Sequence, residues 1–145
     1  MRFMQSTTAG TAVARTAKTS TDSNQLTSIG ESIAVTAAQL TLGAAFGNIR
    51  VPKGAEIAFV QLDATDLDSS TGITLSIGDA TVNDRLLLAN AIAQTGAAPV
   101  GPSIAKTGLG YRYTDETLVQ VYVAVAPTGT PAAGTIKYAV HYVSQ

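Results

Sequence analysis

His141 is the only histidine in the chain and so its only imidazole for general acid–base work. It sits between Val140 and Tyr142 in an alternating apolar run, which is strand patterning. A hydrolytic triad would pair it with a serine and an acid distant in sequence, and no G-x-S-x-G elbow nominates that serine. Read this way, His141 is a structural or surface residue. Carboxylates are densest at Asp63, Asp66 and Asp68. Hard cations want several oxygen ligands at close range, but the EF-hand pattern is absent: Asp68 stands at its sixth position and Thr74 at its twelfth. Aspartates in such a loop more commonly cap a turn. Gly96-Ala97-Ala98-Pro99-Val100-Gly101-Pro102-Ser103 has the glycine spacing of a phosphate-binding loop, but Pro102 replaces the lysine and no strand–loop–helix surrounds it. Tyr111-Arg112-Tyr113 interleaves aromatic and basic groups that could stack on bases or sugars. It directly precedes a valine-rich strand, so a structural β-edge is the stronger reading. With no cysteine, thiolate catalysis, disulfides and cysteine-based zinc sites drop out. The residues therefore point to a protein that is not an enzyme, with no catalytic, metal-binding or cofactor-binding residues and no cofactor.

Charge and hydropathy narrow the partners. Nine basic and ten acidic side chains leave a net charge of −1, so no basic excess drives phosphate binding and nucleic acid is not expected as a partner. The longest apolar run, residues 86–93, is interrupted by Asn90 and falls far short of the roughly 18 residues of a membrane span. Residues 1–20 lack the apolar stretch of a secretory signal, and no membrane partner is expected. Hydrophobic residues make up 46% of the chain and charged residues 13%. So few charges on so apolar a chain suggest that much of its surface is covered in the working state.

The 145 residues are one domain by size, and their patterning is β throughout the body. Ile33 and Val35 alternate with polar or small neighbours, and then the phase slips to Leu40 and Leu42. This predicts a bulge or bend near Ala37 and Ala38. Gly43 and Gly47 mark a turn, and residues 50–54 a tight connection. Residues 55–62 read as a strand with apolar groups on both faces. In residues 72–78, Ile73, Leu75 and Ile77 point inward. Residues 85–93 fit either a short strand or two helical turns, and residues 95–110 a long surface loop. The strongest strand, 117–126, puts Val119, Val121, Val123 and Val125 on one face. The last, 135–143, puts Ile136, Tyr138, Val140 and Tyr142 on one face, and a hairpin between these two is expected. The predicted fold is all-β: an antiparallel β-sandwich, jelly-roll-like body over residues 28–145 with an extended N-terminal arm over residues 1–27.

The arm is rich in Thr, Ser, Ala and Gln, with few large apolar side chains. Ordering it costs about 1–2 kcal/mol per residue, and its own side chains bury too little apolar surface to offset that. Contacts from outside the segment must supply the difference. Arg2, Arg15 and Lys18 are the candidate anchors to acidic patches on a partner, and Phe3 and Met4 the candidate plugs for an apolar pocket.

Val51-Pro52-Lys53-Gly54-Ala55-Glu56-Ile57, Leu62-Asp63, Asp66-Leu67-Asp68-Ser69 and Leu75-Ser76-Ile77-Gly78-Asp79 form a recognisable series. Gly108-Leu109-Gly110-Tyr111-Arg112-Tyr113-Thr114 and Ala133-Gly134-Thr135-Ile136 continue it. Together they resemble small virion proteins from the head-gene clusters of tailed bacteriophages, some similar to capsid decoration, or cement, proteins. The resemblance covers about residues 48–145. It implies a β-sandwich or jelly-roll body, often a homotrimer, bound to the major capsid protein on the outer surface of the mature capsid. The expected function is a structural virion protein that stabilises the capsid by bridging neighbouring subunits. The alternative is a carbohydrate- or receptor-binding module of a tail fibre or spike, built on Tyr111, Tyr113 and Tyr122.

Overall fold

Two runs of alternating apolar residues set the centre of each layer. In β8 (Gly134–Val143), Ile136, Tyr138, Val140 and Tyr142 are buried while Lys137 is exposed. In β7 (Thr117–Val125), Val119, Val121 and Val123 are buried, but Val125 at the strand end is exposed. Period-two alternation places one face of each strand in a shared core and the other outside it. A computed structural model describes residues 25–94 and 99–144. The remaining strands are β1 (Leu26–Val35), β2 (Ala45–Val51), β3 (Glu56–Ala64), β4 (Thr74–Gly78), β5 (Leu87–Asn90) and β6 (Val100–Ser103). They form two four-stranded sheets, ordered β1-β8-β3-β6 and β2-β7-β4-β5, with every pairing antiparallel.

The body is thus the expected antiparallel sandwich, and its strands are wound in a regular way. Strands pair as β1 with β8, β2 with β7, β3 with β6 and β4 with β5, and these nested pairs alternate between the sheets. The chain is one long hairpin rolled so that successive rungs fall in opposite layers, a jelly-roll-like course. The expected hairpin between the last two strands is therefore not formed. β7 and β8 lie in different sheets, and the link between them crosses the sandwich. Each strand has one apolar face, and facing layers bury both faces where a hairpin would set them side by side.

Other local expectations shift for physical reasons. The slip after Val35 is a single 3-10 turn at Ala37–Gln39, in which the Gln39 side chain accepts a bond from the Thr36 amide at 2.8 Å. Beyond it, residues 40–44 form a turn and not a strand. Leu40 is buried and Leu42 is 71% exposed. Gly47 does not mark a turn but lies in a bulge of β2 between Phe46 and Ile49. A second bulge, between Ile57 and Phe59, lets Ile57, Val60 and Leu62 all face the core, so β3 is not apolar on both faces. Residues 85–93 contain the short strand β5. Residues 95–110 are not one loop, because they include β6, an edge strand that tolerates Pro102. No helix among the described residues is long and apolar enough to cross a membrane.

Candidate functional site

Three constellations of polar groups stand out, and each is built by strand ends or by a sheet face. The first is the loop that follows β3. Asp68 is buried, and its carboxylate accepts bonds from the amides of Ser70 (3.0 Å), Gly72 (3.2 Å), Ile73 (3.0 Å), Thr128 (3.1 Å) and Gly129 (2.9 Å), and from the Ser70 hydroxyl (3.3 Å). Removal from water acts to raise its pKa, but the amides of Ser70, Thr128, Ile73 and Gly129 outweigh that and bring it down to about 2. The carboxylate ties the β3–β4 loop to the β7–β8 link. With its lone pairs taken by backbone donors it has little left for a cation, which is the turn-capping role expected of it. No three metal-ligating side chains converge among the described residues.

The second constellation surrounds Asp79 at the end of β4. Its Oδ1 accepts the amides of Thr81 (3.0 Å) and Val82 (2.9 Å), and its Oδ2 accepts Arg85 Nε (2.6 Å) and the Tyr113 hydroxyl (2.9 Å). Burial acts to raise the Asp79 pKa, but Arg85, Val82 and Tyr113 together hold it below its ordinary value. Burial, with the nearby Asp79 charge, pushes Tyr113 well up. The Arg85 guanidinium also lies 3.9 Å from the centre of the Tyr111 ring, which meets Tyr113 edge-on at 5.1 Å. These contacts bear on the sugar-binding alternative. Tyr113 and Tyr122 are buried, and Arg85 covers a face of Tyr111, so the three tyrosines do not form an open stacking platform. Arg112 points elsewhere. It donates to the Gly54 carbonyl at 2.9 Å and pairs with Glu56 at 2.8 Å, joining residues 111–113 to the start of β3 as a β-edge bridge.

The third is the outer face of the β1-β8-β3-β6 sheet. Three rows cross it in register: Ser28, His141 and Phe59; Gly30, Ala139 and Gln61; Ser32, Lys137 and Asp63. The small residues Gly30 and Ala139 of the middle row leave an open hollow of about 510 Å³ that runs from Gly30 on β1 to Val100 on β6. Beside it, Ser28 Oγ lies 2.6 Å from His141 Nδ1, His141 Nε2 lies 2.9 Å from Gln61 Oε1, and the imidazole stacks on Phe59 at 4.1 Å. This serine–histidine–amide chain has triad-like spacing. Strand amides, however, lie in the plane of the sheet, whereas Ser28 Oγ stands above it. They cannot converge as an oxyanion hole on a carbonyl attacked there. No local motif marks this chain of contacts, because Ser28, Gln61 and His141 meet only through strand register.

The same sheet has an unusual edge. β1 contributes ten residues in continuous register with β8, and no described residue pairs with its other side. Halfway along, Glu31 Oε1 accepts the amide of Asn48 in the β2 bulge at 2.7 Å. Of the residues that sequence reasoning nominated, Arg2, Phe3, Met4, Arg15 and Lys18 lie outside the described residues. β1 itself begins at Leu26.

No protein-family model and no curated protein sequence matches this chain. Solved structures do. A chain of the cyanophage Pam1 capsid asymmetric unit superposes with a TM-score of 0.74 at 31% identity, covering 91% of this chain and 94% of that one. A chain of the capsid of Ralstonia phage GP4 gives 0.70 at 23% identity, over 90% and 92% of the two chains. A chain of the acid-stable capsid of Helicobacter pylori bacteriophage KHP30 shares the fold alone, at 0.53 and 16% identity over 84% and 94%. At 31% identity over nearly the whole of both chains, the protein belongs to the family of the cyanophage capsid chain: it is a structural protein related to phage capsids.

Proposed function

We propose that this member of a phage capsid-protein family is a cement protein. It binds the major capsid protein on the outer surface of the mature shell, as a homotrimer, and stabilises the shell by bridging neighbouring subunits. The observation that carries the proposal is the near full-length likeness to a chain of the cyanophage Pam1 capsid. A sandwich of this size suits attachment to a shell in many copies. Multivalent attachment makes modest individual contacts collectively strong, and binding only the expanded shell stabilises it by mass action. Arg2, Arg15 and Lys18 serve as charged anchors of the arm, and Phe3 and Met4 as its apolar plugs.

The test is attachment. Purified full-length protein is mixed with expanded shells that lack it, and co-sedimentation and shell melting temperature are read. Saturable binding with a raised melting temperature is expected. Removal of residues 2–24, which stops short of β1, should weaken attachment while the body stays folded. Protein that leaves shell stability unchanged at saturation, or that does not bind shells, sinks the proposal.

A further inference from the structure

The four sheet edges of the sandwich are not equally protected. β5 and β6 are four residues long, and β6 carries Gly101 and Pro102. β2 is broken by its bulge, and the Asn48 amide there is already taken by Glu31. β1 is different: ten residues, no bulge, no proline, no lysine or arginine. Edges of that length and regularity are normally blunted, because their free amides and carbonyls template another strand. Its inward side is also incomplete. Ile29 and Ile33 are only half-buried against the core, with Glu31 between them. A strand that completed this edge would carry a cation between two apolar residues at alternate positions, and small or polar residues in between.

We propose that the open edge of β1 takes residues 11–19 of a second copy of this chain as an added antiparallel strand. This rests on the reading of the protein as a shell component, whose copies lie side by side. Val13, Arg15 and Ala17 have the required alternation, and the segment holds no acid and no proline. Setting Arg15 opposite Glu31 brings Val13 against Ile33 and Ala17 against Ile29, while Thr16 meets Gly30 and Lys18 meets Ser28 on the outer face. Sliding the segment until Lys18 faces Glu31 would set Thr16 and Ser20 against the two isoleucines, so charge and hydropathy select the same register. If Ser20 continued the ladder to Leu26 within one chain, residues 21–25 would be the connection, a length a hairpin can close, and Leu26 pairs with Val143 through its other edge. The side-by-side packing of copies in a shell is what favours the neighbour, and cross-linking separates the two cases.

Cross-linking tests the pairing, since the chain has no cysteine of its own. Full-length Thr16→Cys and Gly30→Cys chains with tags of different size are mixed and oxidised, free at high concentration and bound to shells. A Cβ at Gly30 has room, with its nearest neighbour at 3.7 Å. We expect a mixed disulfide at least tenfold more abundant than with Gln61→Cys, two strands inward on the same face. We also expect its loss on adding Glu31→Lys to the Gly30→Cys chain, and its return when the Thr16→Cys chain carries Arg15→Glu. Equal yields at Gly30 and Gln61, or a link that forms only within a Thr16→Cys/Gly30→Cys double variant, overturns the pairing. Chains that bind and stabilise shells but fail this test leave the cement reading standing. Chains that pass it but do not bind shells refute the cement reading alone.

Discussion

The Tyr138 side chain occupies the space that a side chain on Gly47 would need. Tyr138 reaches from β8 across the core to the β2 bulge, where its hydroxyl donates to the Val119 carbonyl at 2.7 Å and accepts the Ile49 amide at 3.3 Å. Gly47 has φ of +110°, a conformation that disfavours any side chain. The two sheets are pinned together where one strand bulges, and the pin fits because residue 47 is glycine.

Replacing Gly47 by alanine should therefore destabilise the body twice over, through backbone strain and collision with the tyrosine. Strain of this kind costs about 1–3 kcal/mol. Urea unfolding followed by tyrosine fluorescence measures it, and a variant as stable as the parent would refute the pin.

Tyr138→Phe keeps the ring but strips both partners of their bond. Leaving a buried carbonyl and amide unmet costs about 1–3 kcal/mol. Adding Tyr138→Phe to Gly47→Ala should be less than additive, because the hydroxyl is gone from the collision, although the ring carbons Cε1 and Cζ still crowd the site. A double-mutant cycle with zero coupling energy would contradict the contact.

Asp68 gives the fold an acid limit. Its folded pKa lies below the unfolded value, so its contribution is present above the unfolded pKa and is lost as pH falls through the folded one, from 3.8 towards about 2. Melting temperature should drop over that window. Asp68→Asn should lower it at neutral pH and flatten that part of the pH profile, as read by scanning calorimetry. A variant whose acid profile superimposes on the parent's would show that the loop clamp does not depend on the charge.

Asp79→Asn should destabilise the body at neutral pH, because it leaves the Arg85 guanidinium, 12% exposed, without its counter-charge. With partial solvent screening allowed for, the loss is about 1–3 kcal/mol. Arg85→Met beside Asp79→Asn should recover part of it. Thermal melts of the three variants decide this; a double variant no better than Asp79→Asn would place the cost elsewhere.

Much of the fold was legible because alternation is a local property. The inward residues of β4 and β8, and Val119, Val121 and Val123 of β7, follow from period-two spacing alone, as does the change of course after Val35. Where spacing failed, an extra residue had been inserted: the bulges near Ala58 and Gly47 reset the phase without any local mark that distinguishes them from a two-faced strand or a turn.

Composition and residue spacing by themselves determined an all-β body with few charges, no cysteine chemistry and aspartates that hold turns. Only the tertiary structure decided which strand lies beside which. It put β7 and β8 in opposite layers and brought Ser28, Gln61 and His141 into one chain of contacts. It also left β1 as a long edge with no partner among the described residues. A side chain's direction is fixed by its own backbone, whereas a strand's partner depends on which long-range arrangement buries all the apolar faces at once.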